Sequence, residues 1–227
     1  MSPKISVIIP AYNEEKSLPL VLNDLPKDQL HQIIVVDNRS TDRTAEVARK
    51  NGATVVHERR RGYGRACLTG MAALDAPDIV VFLDGDYSDY PEEISLLVEP
   101  ILKGEADFVV GSRMLLAESR QALLPQARYG NQLAVFLIRL FFGHRFTDLG
   151  PFRAIRSESL QAIGMHDQDF GWTVEMQIKA VQNGLRIREV PVRYRVRIGV
   201  SKITGTLSGT LKAGTKIIYT IFKYLIT

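Results

Sequence analysis

Short runs of β-branched and other apolar residues alternate with helical patterns through the first half of the chain. Four such runs read ISVII at 5–9, QIIVVD at 32–37, ATVVHE at 53–58 and IVVFLD at 79–84. Each run has the length of a strand and is followed by turn or helix-opening residues. Strands that are apolar at nearly every position are typical of parallel sheets with helices on both faces. The sequence therefore predicts an α/β fold with a mostly parallel, Rossmann-like sheet.

Polar and acidic residues follow three of these four runs. The first is followed by PAYNEE at 10–15, the second ends in DNRSTD at 37–42, and the fourth ends in DGD at 84–86. In open parallel sheets, ligands bind beyond the carboxyl ends of the strands. We therefore expect a binding site at the edge of the sheet where these segments meet.

The DGD segment places two carboxylates one residue apart. In an extended chain Asp84 and Asp86 point the same way, and Gly85 lets a bulky group approach the backbone. Two such oxygen ligands suit Mg²⁺ or Mn²⁺ shared with a diphosphate. Asp and Gly are also ordinary turn residues, so this segment alone leaves a simple turn open.

Charge is distributed unevenly along the 227 residues. Residues 186–227 contain nine Lys or Arg and one acid, a net charge of +8, which leaves −4 for residues 1–185 out of a total of +4. The basic end favours an anionic partner such as a phosphate or a lipid surface, or is simply a solvated face. Nucleic acid is disfavoured, because the acidic sheet edge would repel a phosphate backbone. The single cysteine, Cys67, excludes an internal disulfide and fits a reducing compartment.

Several separated motifs together resemble one enzyme family. PAYNEE, VVDNRSTDRT, GYGRA and LDGDYSDYPEE resemble the nucleotide-sugar half of family-2 glycosyltransferases. GSR, FTDLGPFRAIR, EMQIKAVQNGLRIREVPV and RIGVSK resemble its dolichyl-phosphate-mannose and polyprenyl-phosphate branch. The resemblance spans roughly residues 3–204 and implies a GT-A fold. It implies one domain over 1–204, with a nucleotide-sugar half at 1–112 and an acceptor half at 113–204, and then a C-terminal amphipathic helix over 205–227.

The resemblance also implies roles for individual residues of the nucleotide-sugar half. Asp37 would accept a hydrogen bond from the base, Asp84 would hold the ribose or a metal-bound water, and Asp86 would bind the divalent cation. The remaining residues implied to contact the nucleotide are Pro10, Ala11, Tyr12, Asn13, Glu14, Gly62, Gly64, Arg65 and Gly85. Glycine and a helix start near the diphosphate agree with the way phosphates bind at helix N-termini.

Beyond the nucleotide contacts, the resemblance implies sugar or acceptor contacts for Gly111, Arg113, Asp148 and Trp172, and a catalytic position for Arg153. An ion pair between Asp148 and Arg153 that serves only structure is the alternative to such a role.

A proton acceptor is missing from one motif. Many relatives that glycosylate hydroxyl groups carry an Asp two residues before a Glu, and alignment on Glu175 puts Thr173 at that place. A threonine is no base near neutral pH, whereas a phosphate acceptor is already an anion and needs none. The motif therefore favours a phosphate acceptor, with Glu175 left as an alternative base.

A phosphate acceptor needs cations, and YRVRIGVSK supplies Arg195, Arg197 and Lys202. The alternation in VRYRVR predicts a strand with Arg193, Arg195 and Arg197 on one face, either binding phosphate or forming a solvated edge.

Two further helices are predicted. Residues 128–143 form a strongly apolar helix that includes Arg139, and it belongs either to the core or to a lipid or partner contact. Residues 207–227 have apolar residues at helical spacing and Lys212, Lys216 and Lys223 on another side. This helix could lie on an anionic membrane, pack on the domain or form a homodimer.

Taken together, the sequence predicts a metal-dependent, inverting transfer of a sugar from a UDP- or GDP-linked donor to a polyprenyl-phosphate-type lipid, with Mg²⁺ or Mn²⁺ as cofactor. A soluble hydroxyl acceptor and a non-catalytic nucleotide-sugar-binding module are the alternatives. The apolar start of residues 1–10 is too short for a signal peptide, and no apolar run approaches the ~20 residues of a membrane span. We expect a cytoplasmic protein or one peripheral at the cytoplasmic membrane face.

Overall fold

A computed structural model of the protein describes residues 3–199 and 207–226. Within these ranges one sheet of seven strands runs in the order β3-β2-β1-β4-β6-β5-β7. The strands are β1 (Ile5–Ala11), β2 (Gln32–Asp37), β3 (Thr54–His57), β4 (Ile79–Phe82), β5 (Phe108–Ser112), β6 (Arg153–Arg156) and β7 (Ile187–Pro191). Strand β6 is antiparallel to β4 and β5, and the other pairs are parallel. The predicted α/β fold with a mostly parallel sheet is confirmed.

Helices cover both faces of the sheet. They are α1 (Leu18–Asp24), α2 (Thr44–Lys50), α3 (Tyr63–Ala72), α4 (Ile94–Leu102), α5 (Ala117–Ala122), α6 (Pro125–Phe142), α7 (Ser157–Ile163), α8 (Trp172–Gln182) and α9 (Leu207–Lys223). Helices α1, α2 and α4 pack on one face, and α3, α6, α7, α8 and α9 contribute to the core on the other.

The apolar strands are explained by this double cover. In β1, Ile8 belongs to the core under α3 and α8, whereas Val7 and Ile9 belong to the core under α1 and α4. All three side chains are fully buried. Because successive side chains of a strand point to opposite faces, both faces need apolar residues, and each fully buried Val or Ile contributes about 1.5–3 kcal/mol.

The strand ends that matter for function meet beside β1. Strand β1 pairs with β2 on one side and β4 on the other, so the chain connections reverse direction at β1. Ala11 at the end of β1 is in register with Asp37 at the end of β2, and Ile8 is in register with Phe82 at the end of β4. The loops that leave these three strands therefore lie at one edge, as an open parallel sheet requires for a ligand site.

The C-terminal helix α9 packs on the domain. Its buried residues Ala213, Thr220 and Ile221, together with Tyr224 just beyond its end, face α6 and α8. Tyr224 Oη donates a hydrogen bond to Glu175 Oε1 at 2.5 Å. A membrane, the domain itself and a second copy of the chain were the three predicted partners of this helix. The structure shows that one face of the helix packs on the domain. Among the described helices none has both the length and the apolar character to cross a bilayer.

Candidate active site

A cavity of about 540 Å³ lies at the carboxyl ends of β1, β2 and β4. Its lining includes seven of the residues predicted to contact a nucleotide, namely Pro10, Ala11, Tyr12, Glu14, Gly62, Asp84 and Gly85. Asp86 and Arg197, predicted to hold a metal and an acceptor phosphate, also line it. The structure thus brings the predicted acidic edge and one predicted phosphate-binding arginine into one space.

The two carboxylates of the DGD segment differ in their surroundings. Burial, followed by the charge of Asp86, raises the pKa of Asp84 to about 7. Tyr63 Oη donates a hydrogen bond to Asp84 Oδ1 at 2.9 Å. Asp86 Oδ1 accepts hydrogen bonds from the backbone N and the hydroxyl of Ser88, at 3.0 and 2.6 Å. Both carboxylates line the cavity, and the second oxygen of Asp86, Oδ2, contacts a basic side chain of the protein.

That side chain is Arg197. Its Nη1 lies 2.9 Å from Asp86 Oδ2, and its Nη2 lies 2.7 Å from Glu14 Oε1. Glu14 is fixed in turn by the Ser17 hydroxyl, which donates to Glu14 Oε2 at 2.7 Å. The arginine therefore joins the loop after β1 to the loop after β4 across the cavity.

The rim beyond β2 carries residues that sequence reasoning missed. Asn38 lines the cavity and fixes the next loop, because its Oδ1 accepts from Gly62 N at 3.0 Å and its Nδ2 donates to the Arg60 carbonyl at 2.7 Å. The Arg61 guanidinium lies 3.2 Å from the ring centroid of Tyr12, and both residues line the cavity. Asn38 follows Asp37 directly, so the strand-end argument could have included it.

Asp37 and Asn13 lie outside the cavity lining and hold the loops. Asp37 Oδ2 lies 3.0 Å from His57 Nδ1, and its Oδ1 accepts from Ser40 N at 3.0 Å. Asn13 adopts φ 53°, a left-handed conformation that asparagine tolerates, and its Oδ1 accepts from Thr41 N at 2.8 Å. The loop after β1 is thereby fastened to the loop after β2.

The glycines of GYGRA are required by packing. A Cβ on Gly62 would lie 2.2 Å from the Gln168 carbonyl oxygen, and one on Gly64 would lie 2.1 Å from the Asp167 carbonyl oxygen. Arg65, which does not line the cavity, donates its backbone N–H to the Gln168 carbonyl at 3.0 Å. The start of α3 thus presses against the loop before α8, and that close approach explains the glycines at least as directly as the predicted diphosphate contact.

Glu175 holds the same loop. It is fully buried and accepts hydrogen bonds from the backbone N–H groups of His166 and Asp167, at 3.0 and 2.6 Å. Lys179 Nζ lies 3.0 Å away. This geometry argues against the alternative of a catalytic base, because the carboxylate is fully buried, accepts hydrogen bonds from the protein and lies outside the cavity lining.

Arg153 and Asp148 do not form the ion pair that was considered for them. The buried guanidinium of Arg153 donates instead to the carbonyls of Leu149, Gly150 and Thr173, and burial lowers its pKa to about 10. Asp148 pairs with Arg113, whose Nε and Nη2 each lie 2.8 Å from a carboxylate oxygen. Neither Arg153 nor the Asp148–Arg113 pair lines the cavity.

Two more residues expected near sugar or acceptor lie in packed surroundings. Trp172 is buried, with its ring edge-on to Phe82 at 5.8 Å between centroids. Gly111 donates its N–H to the Phe152 carbonyl at 2.8 Å. Neither is part of the cavity lining.

The predicted strand with three arginines on one face does not form. Strand β7 ends at Pro191, and beyond it Tyr194 makes a single bridge with Asp89. Arg193 pairs with Glu92 and Glu93. The chain bends away from the sheet here, so the three arginines meet three different surroundings.

Arg195 holds the loop after β4 and does not line the cavity. Its Nε donates to the Tyr87 carbonyl at 2.7 Å, and its guanidinium lies 3.4 Å from the Tyr87 ring centroid. Of the residues expected to bind an acceptor phosphate, only Arg197 is in the cavity, and Lys202 lies outside the described residues.

Residues from two distant parts of the chain complete the cavity. Asp169 and Phe170 reach it from the loop before α8, and Gly209 and Lys212 reach it from α9. Burial, followed by the charge of Asp167, raises the pKa of Asp169. No motif in the sequence marked these positions, because only the packing of α8 and α9 brings them to the ends of β1 and β4.

The mostly parallel sheet with helices on both faces, and the carboxylate pair that follows its central strand β4, fit the GT-A class of glycosyltransferases. The glycosyl transferase family 2 model matches residues 6–164. The chain belongs to this family, and the expectation of an enzyme, a glycosyltransferase, is confirmed.

Relatives agree with this family and branch. An uncharacterized glycosyltransferase of Mycobacterium tuberculosis is 39% identical over 92% of this chain and 94% of its own length. The undecaprenyl-phosphate mannosyltransferase of Micrococcus luteus is 32% identical over 91% of this chain and 90% of its own length. The resemblance to the polyprenyl-phosphate branch is confirmed by such relatives.

A solved structure shows the same fold. Glucosyl-3-phosphoglycerate synthase from Mycobacterium tuberculosis, in complex with Mn²⁺, UDP-glucose and phosphoglyceric acid, superposes with a TM-score of 0.78 at 24% identity. The match covers 98% of this chain and 80% of that one.

Proposed function

We propose that the protein transfers a sugar, with inversion, from a UDP- or GDP-linked donor to the phosphate of a polyprenyl-phosphate-type lipid, with Mg²⁺ or Mn²⁺ as cofactor. The observation that carries this proposal is the composition of the cavity, whose lining combines the carboxylates Asp84 and Asp86 with the cations Arg197 and Lys212. A diphosphate donor needs carboxylates that hold its metal ion, and an acceptor phosphate needs fixed positive charge.

The carboxylate pair fits a cation that is shared with a substrate. The described residues hold no group of three or more His, Cys, Asp or Glu side chains that could bind a metal by themselves. Mg²⁺ commonly takes one or two carboxylates and completes its shell with waters and phosphate oxygens. Asp84 and Asp86 supply that number, and the raised pKa of Asp84 reflects burial and a repulsion that a divalent cation would relieve. When bound, the cation would neutralise charge on the departing diphosphate.

Residues of the cavity would bind the base and ribose of the donor and orient the acceptor phosphate. The cavity between Tyr12, Arg61 and Asn38 offers a ring face, a guanidinium and an amide for a base and ribose. Arg197 and Lys212 would orient an acceptor phosphate so that its oxygen attacks the anomeric carbon. The new C–O bond then forms as the bond to the diphosphate breaks, and the diphosphate leaves with the electron pair. An anionic phosphate oxygen requires no proton removal, in agreement with the absence of a base at Thr173.

A hydroxyl acceptor is the second candidate, and one observation favours it. Asp169 places a carboxylate with a raised pKa in the cavity, where it could take a proton from a hydroxyl group. The solved glucosyl-3-phosphoglycerate synthase is in complex with both UDP-glucose and phosphoglyceric acid, so a protein of this fold works with a soluble acceptor.

The two candidates are separated by one pair of assays. Purified protein with Mg²⁺ or Mn²⁺ and a panel of UDP- and GDP-sugars is incubated with short-chain prenyl phosphate or with the dephosphorylated prenol. The proposal expects glycosylated prenyl phosphate, little product from the prenol, and little loss in Asp169→Asn. Transfer to hydroxyl acceptors alone, abolished in Asp169→Asn, would establish the second candidate instead.

A further inference from the structure

Helix α6 is apolar on the side that faces away from the core. Its residues Tyr129, Leu133, Phe136 and Leu140 are exposed to 70%, 48%, 58% and 61%. Their spacing of four, three and four residues places them on one stripe of the helix. The buried residues Ala134 and Ile138 lie on the opposite side. A helix that only covered a core would carry polar residues along this outer stripe.

Helix α9 repeats the pattern. Leu211, Ile218 and Phe222 are exposed to 71%, 36% and 46% and lie at helical spacing. Just beyond the end of the helix, Leu225 and Ile226 extend the apolar surface and are exposed to 43% and 86%. The face that packs on the domain is the opposite one, which carries Ala213 and Thr220. This helix therefore also has two apolar sides, of which the domain covers one.

The two stripes belong to one surface. Helices α6 and α9 pack against each other, and the rings of Phe141 and Phe222 lie 5.4 Å apart between centroids. Of the sixteen large apolar side chains exposed among the described residues, ten lie in 129–140 and 211–226. Isolated exposed apolar residues are normal on a protein surface, but a concentration of this kind marks a contact surface.

The charged residues of α6 and α9 indicate what kind of partner this surface binds. Neither α6 nor α9 contains an Asp or a Glu. Of their basic residues, Lys216 pairs with Asp167 and Lys212 lines the cavity, whereas Arg128, Arg139 and Lys223 are exposed on the two helices. Long basic side chains beside an apolar stripe match the boundary of an anionic bilayer, where their stems lie along apolar groups and their charges meet lipid phosphates. A protein partner would not require that both helices lack acids.

We infer that the surface formed by the outer stripes of α6 and α9 binds the interface of an anionic membrane, with both helices lying in the plane of the bilayer. The inference rests on the proposed function in that a lipid-phosphate acceptor gives this contact its purpose. Helix α9 connects the two sites, because Gly209 and Lys212 line the cavity while Leu211 lies on the membrane-facing stripe. Membrane binding would bring the cavity close to the lipid phosphates.

Co-sedimentation with vesicles tests the inference directly. Wild-type protein should bind vesicles of phosphatidylcholine mixed with phosphatidylglycerol and bind vesicles of phosphatidylcholine alone more weakly. The double variant F136E/L140E should lose at least about tenfold in vesicle affinity, because each buried Phe or Leu contributes apolar area and each Glu adds repulsion. The matched control is L102E on α4, which also charges a half-exposed leucine and should bind as wild type does.

Three results would overturn the inference. Wild-type protein that ignores anionic vesicles, or F136E/L140E that binds as tightly as wild type, would do so. The third is a wild-type dimer in light scattering that F136E/L140E converts to monomer without any vesicle binding by either protein, which would assign the surface to a second copy of the chain. Thermal unfolding of each variant checks that it is folded.

Activity with soluble acceptor separates this inference from the proposed function. With short-chain prenyl phosphate, F136E/L140E should transfer sugar at the wild-type rate, because its substitutions lie outside the cavity. Loss of vesicle binding with that activity intact supports the membrane surface. Failure of wild-type protein to glycosylate prenyl phosphate, with vesicle binding intact, would count against the proposed acceptor and leave the surface standing.

Discussion

Arg197 Nη1 lies 2.9 Å from Asp86 Oδ2, so a side chain from beyond β7 contacts the carboxylate that the loop after β4 presents to the cavity. The same guanidinium contacts Glu14 from the loop after β1. A divalent cation at Asp86 would compete with this arginine for the same oxygen. Release of Arg197 would at the same moment free a guanidinium for a phosphate, which links the donor site to the acceptor.

The first prediction concerns this competition. Arg197→Gln should bind Mn²⁺ without nucleotide about 3–10-fold more tightly than wild type, because Asp86 and Glu14 lose the cation that neutralises them. Transfer to prenyl phosphate should fall. Mn²⁺ binding is measured by electron paramagnetic resonance of the free ion, with Arg193→Gln as the control because Arg193 pairs with Glu92 and Glu93 outside the cavity. Unchanged or weaker Mn²⁺ binding in Arg197→Gln would contradict the prediction.

Asp86 itself should be indispensable. Asp86→Asn keeps the size of the side chain but removes the charge, and should lower the transfer rate by roughly 100-fold or more and abolish the effect of Mg²⁺ on nucleoside diphosphate binding. Calorimetric titration of UDP and GDP with and without Mg²⁺ gives the second readout. Asp75→Asn, on an exposed loop, is the control. An Asp86→Asn enzyme with wild-type activity would remove the metal role.

Lys212 should act on the acceptor. Lys212→Gln should raise the KM for prenyl phosphate about tenfold with little change in nucleotide affinity, since a lysine–phosphate contact is a strong charge-assisted hydrogen bond. Steady-state kinetics with each substrate varied measure this effect, with Lys103→Gln as the control because Lys103 lies at the end of α4 and outside the cavity lining. If nucleotide affinity falls as much as acceptor affinity, Lys212 belongs to the diphosphate.

Gly64 should be essential for stability. A Cβ at this position would lie 2.1 Å from the Asp167 carbonyl oxygen, a backbone atom that cannot move aside without the loop that carries Asp169. Gly64→Ala should cost about 1–3 kcal/mol in the free energy of unfolding, measured by urea denaturation. Gly130→Ala on α6 is the matched control, because nothing lies within 4 Å of its added Cβ. We expect that control to be stabilised by roughly 0.5–1 kcal/mol. Equal stability of the two variants would contradict this view of the α3 contact.

The loss of stability at acid pH should depend in part on Asp107. Hydrogen bonds from Arg186, opposed in part by burial, lower the pKa of Asp107 to about 2. A carboxyl with a lowered pKa stabilises the fold above its unfolded pKa near 3.8, and that contribution is lost as the pH falls toward 2. Asp107→Asn should therefore lower Tm at pH 7 by about 2–4 °C. The difference in Tm between variant and wild type should become smaller as the pH approaches 2. A difference independent of pH would show that lost hydrogen-bond geometry, not charge, is responsible.

Where local pattern sufficed, the sequence predicted the molecule well. Strands β1, β2 and β4 could be predicted because ISVII, QIIVVD and IVVFLD are apolar on both faces, and the edge strand β3 because ATVVHE is a short run rich in β-branched residues. The carboxyl ends of parallel strands necessarily share an edge, so Asp84, Asp86 and Glu14 could be placed together from the sequence alone. The start of α1 at Leu18 depends on the site, because residues 14–17 form the loop that presents Glu14 to the cavity.

Residues whose role depends on distant partners could not be predicted. Arg193, Arg195 and Arg197 share one spacing, yet only Arg197 reaches the cavity, because the chain leaves the sheet after Pro191. Glu175 resembled a base and is enclosed by a loop and by Tyr224.

By itself, the sequence determined the fold class, the family and the acidic edge of the sheet, since each follows from short local patterns and from their order along the chain. Tertiary structure alone decided which cations meet those acids and which groups close the cavity. It brought Lys212 from α9 to the ends of β1 and β4 and left the outer stripes of α6 and α9 uncovered. The physical reason is that a side chain's charge and burial depend on neighbours supplied by packing, and packing joins residues more than a hundred positions apart.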